Sequence, residues 1–121
     1  MQQKKKRIET LINVFADSVM KQHDAIWLKA DSKLGNQYAK KLIEAWDEVC
    51  RMGDNAKEQF SILLVHEDVR VRSSAACFLL KCKHAEAKNV LIEISKGEDM
   101  TAFEASQCLE RWKEGEWHLD E

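Results

Sequence analysis

The chain has 121 residues, 45% of them apolar and 33% charged, with a formal net charge of −2. Those proportions exclude wholesale disorder, and the near-neutral balance removes any global electrostatic reason to expect nucleic-acid binding. There is no proline and there are four glycines, where an average chain of this length would carry roughly six prolines. Proline lacks an N–H and clashes with the preceding turn, so its absence fits a chain that is almost entirely helix and short turns.

The first seven residues (1–7) hold a basic head, Lys4, Lys5, Lys6 and Arg7. It is expected as the solvated, frayed start of a helix, with a phosphate-binding arm as the other reading. The first predicted helix runs from Lys5 to Lys29, with Ile8, Leu11, Ile12, Phe15, Val19 and Ile26 as its apolar stripe. Asp31-Ser32-Lys33-Leu34-Gly35-Asn36 breaks it, because these residues supply caps and tolerate turn geometry. A second helix follows to Met52 and buries Tyr38, Leu42, Ala45, Trp46 and Val49. Gly53 is expected to end it in the left-handed position, and Asp54 or Asn55 to cap the next helix.

The remaining four helices read as two copies of one hairpin. Asn55–Val65 turns through His66-Glu67-Asp68 into Val69–Lys81, and Ala85–Lys96 turns through Gly97-Glu98-Asp99 into Met100–Lys113. An offset of 30 places Ile62 on Ile92, Leu64 on Ile94, Ala75 on Ala105 and Leu79 on Leu109, positions expected to face the core. A helix with one apolar stripe cannot bury it alone, so successive hairpins must stack. About six helices are therefore expected in one domain over residues 1–121. The long first helix and the Trp112–Trp117 segment would cap its ends. Residues 114–121, with Glu114, Glu116, Asp120 and Glu121, form an acidic tail.

Val71-Arg72-Ser73-Ser74-Ala75-Ala76-Cys77-Phe78-Leu79 is the most informative stretch. Val71, Ala75 and Leu79 share one stripe, the small Ala75 admits a neighbouring helix, and Asp68 stands where a cap is needed. This is the pattern of the second helix of a HEAT-type repeat. Together with Gln22, Ala25, Asp31, Asn36, Tyr38, Lys41, Leu42, Ala105, Leu109, Trp112 and Gly115, it resembles a family of small bacterial HEAT-like proteins catalogued as a domain of unknown function. The resemblance spans most of residues 8–117. It implies an all-α fold, a short right-handed stack of helix hairpins of the HEAT/armadillo kind (an α-solenoid). It carries no chemistry, so no catalytic residue transfers, and it implies that ligands dock on the concave face lined by the second helices.

No metal, cofactor or catalytic residue is expected. Cys77 and Cys82, five apart, are rotated about 140° from each other on a helix and cannot share a zinc ion with His84 or His66. Cys50, Cys77, Cys82 and Cys108 sit among Ala, Leu and Phe, and read as reduced, mostly buried thiols of a cytoplasmic protein rather than nucleophiles. No secretory signal and no stretch approaching the roughly 20 apolar residues of a membrane span is present. Trp27 and Trp46 are expected in the core. Arg72 is expected to hold Asp68, Asp99 or a turn carbonyl, so that its loss lowers stability rather than binding.

The candidate binding face is the outer stripe of each second helix. Arg70, Ser74, Cys77 and Lys81 are spaced four, three and four, and the offset carries them onto Glu104, Gln107 and Arg111. Solvation alone also produces a mixed polar face of this kind. A domain this small, with no fused catalytic domain, is expected to act by occupying a partner's surface, as a monomer. The sharpest form is a bacterial immunity protein that neutralises a cognate toxin domain, with Glu98, Asp99, Glu104 or the acidic tail supplying charge to a basic partner. A scaffold or adaptor for an endogenous protein is the alternative. A third reading is nucleic-acid binding through Lys4–Arg7 with Arg70, Arg72 and Lys81, with affinity that falls steeply with salt.

Overall fold

The computed structural model describes residues 2–113. Among them are six α-helices, one π-helical turn and one 3-10 turn, and no strand. The chain divides into two compact units, Met1–Leu63 and Leu64–Glu121. Among the described residues no helix is long and apolar enough to cross a membrane.

In the first unit, α1 (Gln2–His23) packs against α2 (Ser32–Met52), and α3 (Asp54–Phe60) packs on both. The basic head lies at the start of α1, and Arg7 pairs with Glu48 of α2 at 3.1 Å. Ile8, Phe15, Val19, Trp46, Val49 and Phe60 are fully buried. Phe60 meets Phe15 edge-on with ring centroids 4.9 Å apart, and meets Trp46 at 5.0 Å. Such pairs add about 0.5–1.5 kcal/mol beyond their buried area. Asp31 caps α2 by accepting the Leu34 N–H at 3.0 Å.

Four local expectations are corrected in this unit. The first α-helix stops at His23, not Lys29, and continues as a π turn, Asp24–Leu28, in which Lys29 N–H donates to Asp24 O at 3.2 Å. The wider turn under-rotates the chain, so Ala25 rather than Ile26 points inward. Trp27 is consequently not core: it is 46% exposed, while Trp46 is buried. Ile26 instead lies over Gly35 of α2, where an added Cβ would stand 2.6 Å from Ile26 Cγ1. Gly53 does take a positive φ of 99° at the end of α2, but it also caps α3 itself, so neither Asp54 nor Asn55 does so. Asp54 lies in the first turn of α3, where its charge faces the unpaired amides.

A 3-10 turn, Ser61–Val65, follows α3. The second unit contains α4 (Val69–Leu79), α5 (His84–Ser95) and α6 (Met100–Lys113), each packed on the other two. Its core is made by Leu64, Val71, Leu79, Leu80 and Leu91 with Ala75, Ala76, Ala87, Ala102 and Ala105. The helix α4 ends at Leu79, short of Lys81, because Cys82 N–H and Lys83 N–H both turn back to Leu79 O at 3.0 and 2.7 Å.

The offset of 30 survives in part. Ala75 and Ala105 are both buried, as are Val71 and Thr101. Ile62 and Ile92 are not core positions, being 63% and 37% exposed, and Ile94 and Leu109 are only half-buried. The caps follow a different spacing. Asp68 accepts Arg70 N–H at 2.8 Å and Asp99 accepts Ala102 N–H at 2.8 Å, so these two capping residues are 31 apart. The helix α6 thus starts one residue later against its buried stripe than α4 does.

Candidate functional site

The turn before α4 is held by side chains from both of its ends. Asp68 N–H donates to His66 Nδ1 at 3.0 Å, which makes that ring nitrogen the acceptor. The Asp68 carboxylate accepts Arg70 Nε at 3.1 Å and Nη2 at 2.8 Å, a two-pronged pair. This guanidinium holds the Asp68 carboxyl below its ordinary range, against the opposing effect of partial burial. Arg72 Nη1 donates to the carbonyls of His66 at 2.6 Å and Glu67 at 3.2 Å. Asp68 therefore belongs to Arg70, and Arg72 holds the turn carbonyls of its own hairpin rather than Asp68 or Asp99.

Of the predicted face, Arg70, Ser74 and Cys77 lie half-buried along α4, whereas Lys81 falls in the turn beyond the helix and is exposed. On α6, Glu104 is half-buried and Gln107 and Arg111 are exposed. Glu98 and Asp99 are exposed in the preceding turn, where the Asp99 carboxylate is occupied as a cap. The stripes of α4 and α6 come near each other at Cys77, on which Cys108, Glu104 and Arg111 of α6 act electrostatically. Interaction with Cys108, then burial and the Glu104 charge, push the Cys77 thiol well above its ordinary range, opposed by Arg111. Such a thiol is a poor nucleophile at neutral pH.

Two members of this face are absent from the sequence reading. Phe103 is 57% exposed and Met100 is 47% exposed, and with Glu104, Gln107 and Arg111 they follow one side of α6. The signal was present: Ala102, Ala105 and Cys108 mark the buried side, which leaves Phe103 about 100° away from Ala102 around the helix. The acidic tail, with Glu114, Glu116, Asp120 and Glu121, lies outside the described residues, as does Trp117.

Two open grooves adjoin these elements in the second unit. One of about 530 Å³ runs between Val69 and Arg72 of α4, Val90 and Ile94 of α5, and Asp99. The other, about 560 Å³, is lined by Lys88 and Ile92 of α5 with Leu109 and Trp112 of α6. Both are lined by apolar side chains with charged residues at their edges. In the first unit, a groove of about 460 Å³ beside Arg7, Lys41, Glu44 and Arg51 is edged by charges of both signs. Among the described residues no three His, Cys, Asp or Glu converge as a metal site. Of the cations invoked for nucleic acid, Arg7 is paired with Glu48, Arg70 with Asp68, and Arg72 with carbonyls.

The family model described as Domain of unknown function (DUF2019) matches residues 9–112. The fold is similar to the crystal structure of the protein RPA1889 from Rhodopseudomonas palustris CGA009, with a TM-score of 0.83 and 22% identity over 92% of each chain. At that identity the likeness concerns the fold alone. None of the curated proteins matches the chain.

Proposed function

The chain belongs to the Domain of unknown function (DUF2019) family, and from that premise and the geometry above we propose that it is a non-enzymatic protein-binding module. We read its hairpins as a short right-handed stack of the HEAT/armadillo kind, with the second helix of each pair on the concave side. The observation that carries the reading is the outer stripe of α6 beside α4. It sets exposed Phe103 and Met100 on one side of α6 with Glu104, Gln107 and Arg111. Aromatic and Arg side chains carry most of the energy at protein interfaces.

Within that class the sharpest proposal is a bacterial immunity protein acting in the cytoplasm. It would cover the active site or substrate path of a cognate toxin domain. Glu98, Asp99 and Glu104 would meet a basic surface, and complementary charge of this kind speeds association more than it adds affinity. The test is capture of the tagged chain from its source cell, with co-purifying proteins identified by mass spectrometry. The expected result is one stoichiometric partner with a nuclease-like or other toxic domain, its capture lost at least tenfold on Phe103→Ala. Recovery of the chain alone, with its genomic neighbours expressed, would overturn the immunity reading. A partner that binds Phe103→Ala unchanged would remove the α6 face from it.

A further inference from the structure

The groove between α5 and α6 is lined by Ile92, Leu109 and Trp112, and its charged residues are Lys88, Lys113 and Glu110. Lys88 and Ile92 stand four apart on α5, and Trp112 and Lys113 follow Leu109 at three and four on α6, so each helix turns one side to the groove. Ile92 is 37% exposed and Trp112 is half-buried, so apolar surface there meets water. The outer stripe of Phe103, Gln107 and Arg111 lies elsewhere on α6, since Leu109 is about 200° from Gln107 around the helix. Lys113 both lines the groove and directly precedes the segment 114–121.

That segment, Glu114-Gly115-Glu116-Trp117-His118-Leu119-Asp120-Glu121, carries four acidic side chains and no Lys or Arg, with Trp117 and Leu119 among them. We propose that it folds back on its own chain and docks in the α5–α6 groove, with the Trp117 indole over Ile92 and Leu109 and the carboxylates beside Lys88 and Lys113. The reach is sufficient. Four residues past Lys113 span up to about 14 Å when extended, and packed helix axes stand about 8–10 Å apart. Gly115, two residues beyond the described end of α6, allows the reversal that this path needs. The charges match in sign, with Lys88 and Lys113 against Glu110 on the groove and four carboxylates on the segment. Attachment at Lys113 favours this occupant over a second copy, because a short tether holds it at an effective concentration on the order of millimolar. The acidic segment then covers this groove, and a partner that used the groove would have to displace it. The proposal does not depend on what binds the outer stripe of α6.

The test is NMR on the dilute full chain with isotope-labelled Ile and Leu methyl groups. Nuclear Overhauser contacts are expected from the Trp117 indole to the Ile92 and Leu109 methyls. Trp117→Ala is expected to abolish them and to shift both methyl signals, while the signals of the fully buried Leu79 and Leu80 stay in place. Lys88→Glu combined with Lys113→Glu is expected to weaken the same contacts several-fold, as is added salt. Ile92 and Leu109 signals unmoved by Trp117→Ala would overturn the proposal. So would contacts that arise only between molecules in a mixture of labelled and unlabelled chain, which would assign the groove to a second copy.

Discussion

Arg70 and Arg72, two residues apart at the start of α4, hold different partners. Arg70 folds back on the Asp68 carboxylate, and Arg72 reaches two carbonyls of the turn. Asp68 has a double task, since it caps α4 and also carries the ion pair. Asp68→Ala removes both and is expected to cost about 1–2 kcal/mol, as lost caps do. Asp68→Asn keeps a capping oxygen and loses only the charge. Because the folded-state carboxyl is held below its unfolded value by Arg70, its contribution is complete above the unfolded value. It is lost as pH falls through the folded one. Urea midpoints measured across acidic pH should therefore fall less steeply for Asp68→Asn than for the natural chain, and parallel curves would refute the assignment. The cap was legible in the sequence from Asp68 alone. The partner of each arginine was not, because both guanidinia reach the turn and only their directions decide.

At the scale of elements, the π turn Asp24–Leu28 and Gly35 explain each other. The stripe read from Ile8 to Val19 is accurate for α1, and Ile26 continues it on paper. The inserted residue breaks the 3.6-residue period, and the chain then leaves through Ala30 at a φ of 52°. Local sequence did not show this, since nothing in Asp24-Ala25-Ile26-Trp27-Leu28 forbids an ordinary helix. Gly35 is the trace it leaves in the facing helix. Gly35→Ala should gain about 1 kcal/mol of helix propensity where the space is open, but Ile26 occupies that space. In the natural chain the substitution is expected to be neutral or destabilising, and in an Ile26→Ala background stabilising. Equal shifts in thermal midpoint in the two backgrounds would break the coupling.

At the scale of the whole molecule, each unit has a core of its own kind. The first is built on large aromatics, with Phe60 between Phe15 and Trp46. The second is built on Leu, Val and Ala, whose small side chains suit three short helices packed closely. Phe60→Ala is expected to cost about 3–5 kcal/mol, the usual range for a fully buried Phe. A urea unfolding midpoint unchanged by that substitution would mean that the aromatic cluster does not hold the first unit. Phe60 lies at the last turn of a seven-residue helix. A helix that short is not stable alone, so its anchorage has to come from packing.

The sequence by itself determined the all-helical class, the order of the helices, and which stripes of α1, α2 and α4 turn inward. Those properties follow from local periodicity, capping residues and the absence of proline, and they require no knowledge of distant neighbours. Only the tertiary structure decided the exposure of Trp27, Ile62 and Phe103 and the division of labour between Arg70 and Arg72. Each depends on the rotation of one element against another. A shift of a single residue, as in the π turn or in the later start of α6, changes that rotation by about 100° without altering the composition that signals a helix.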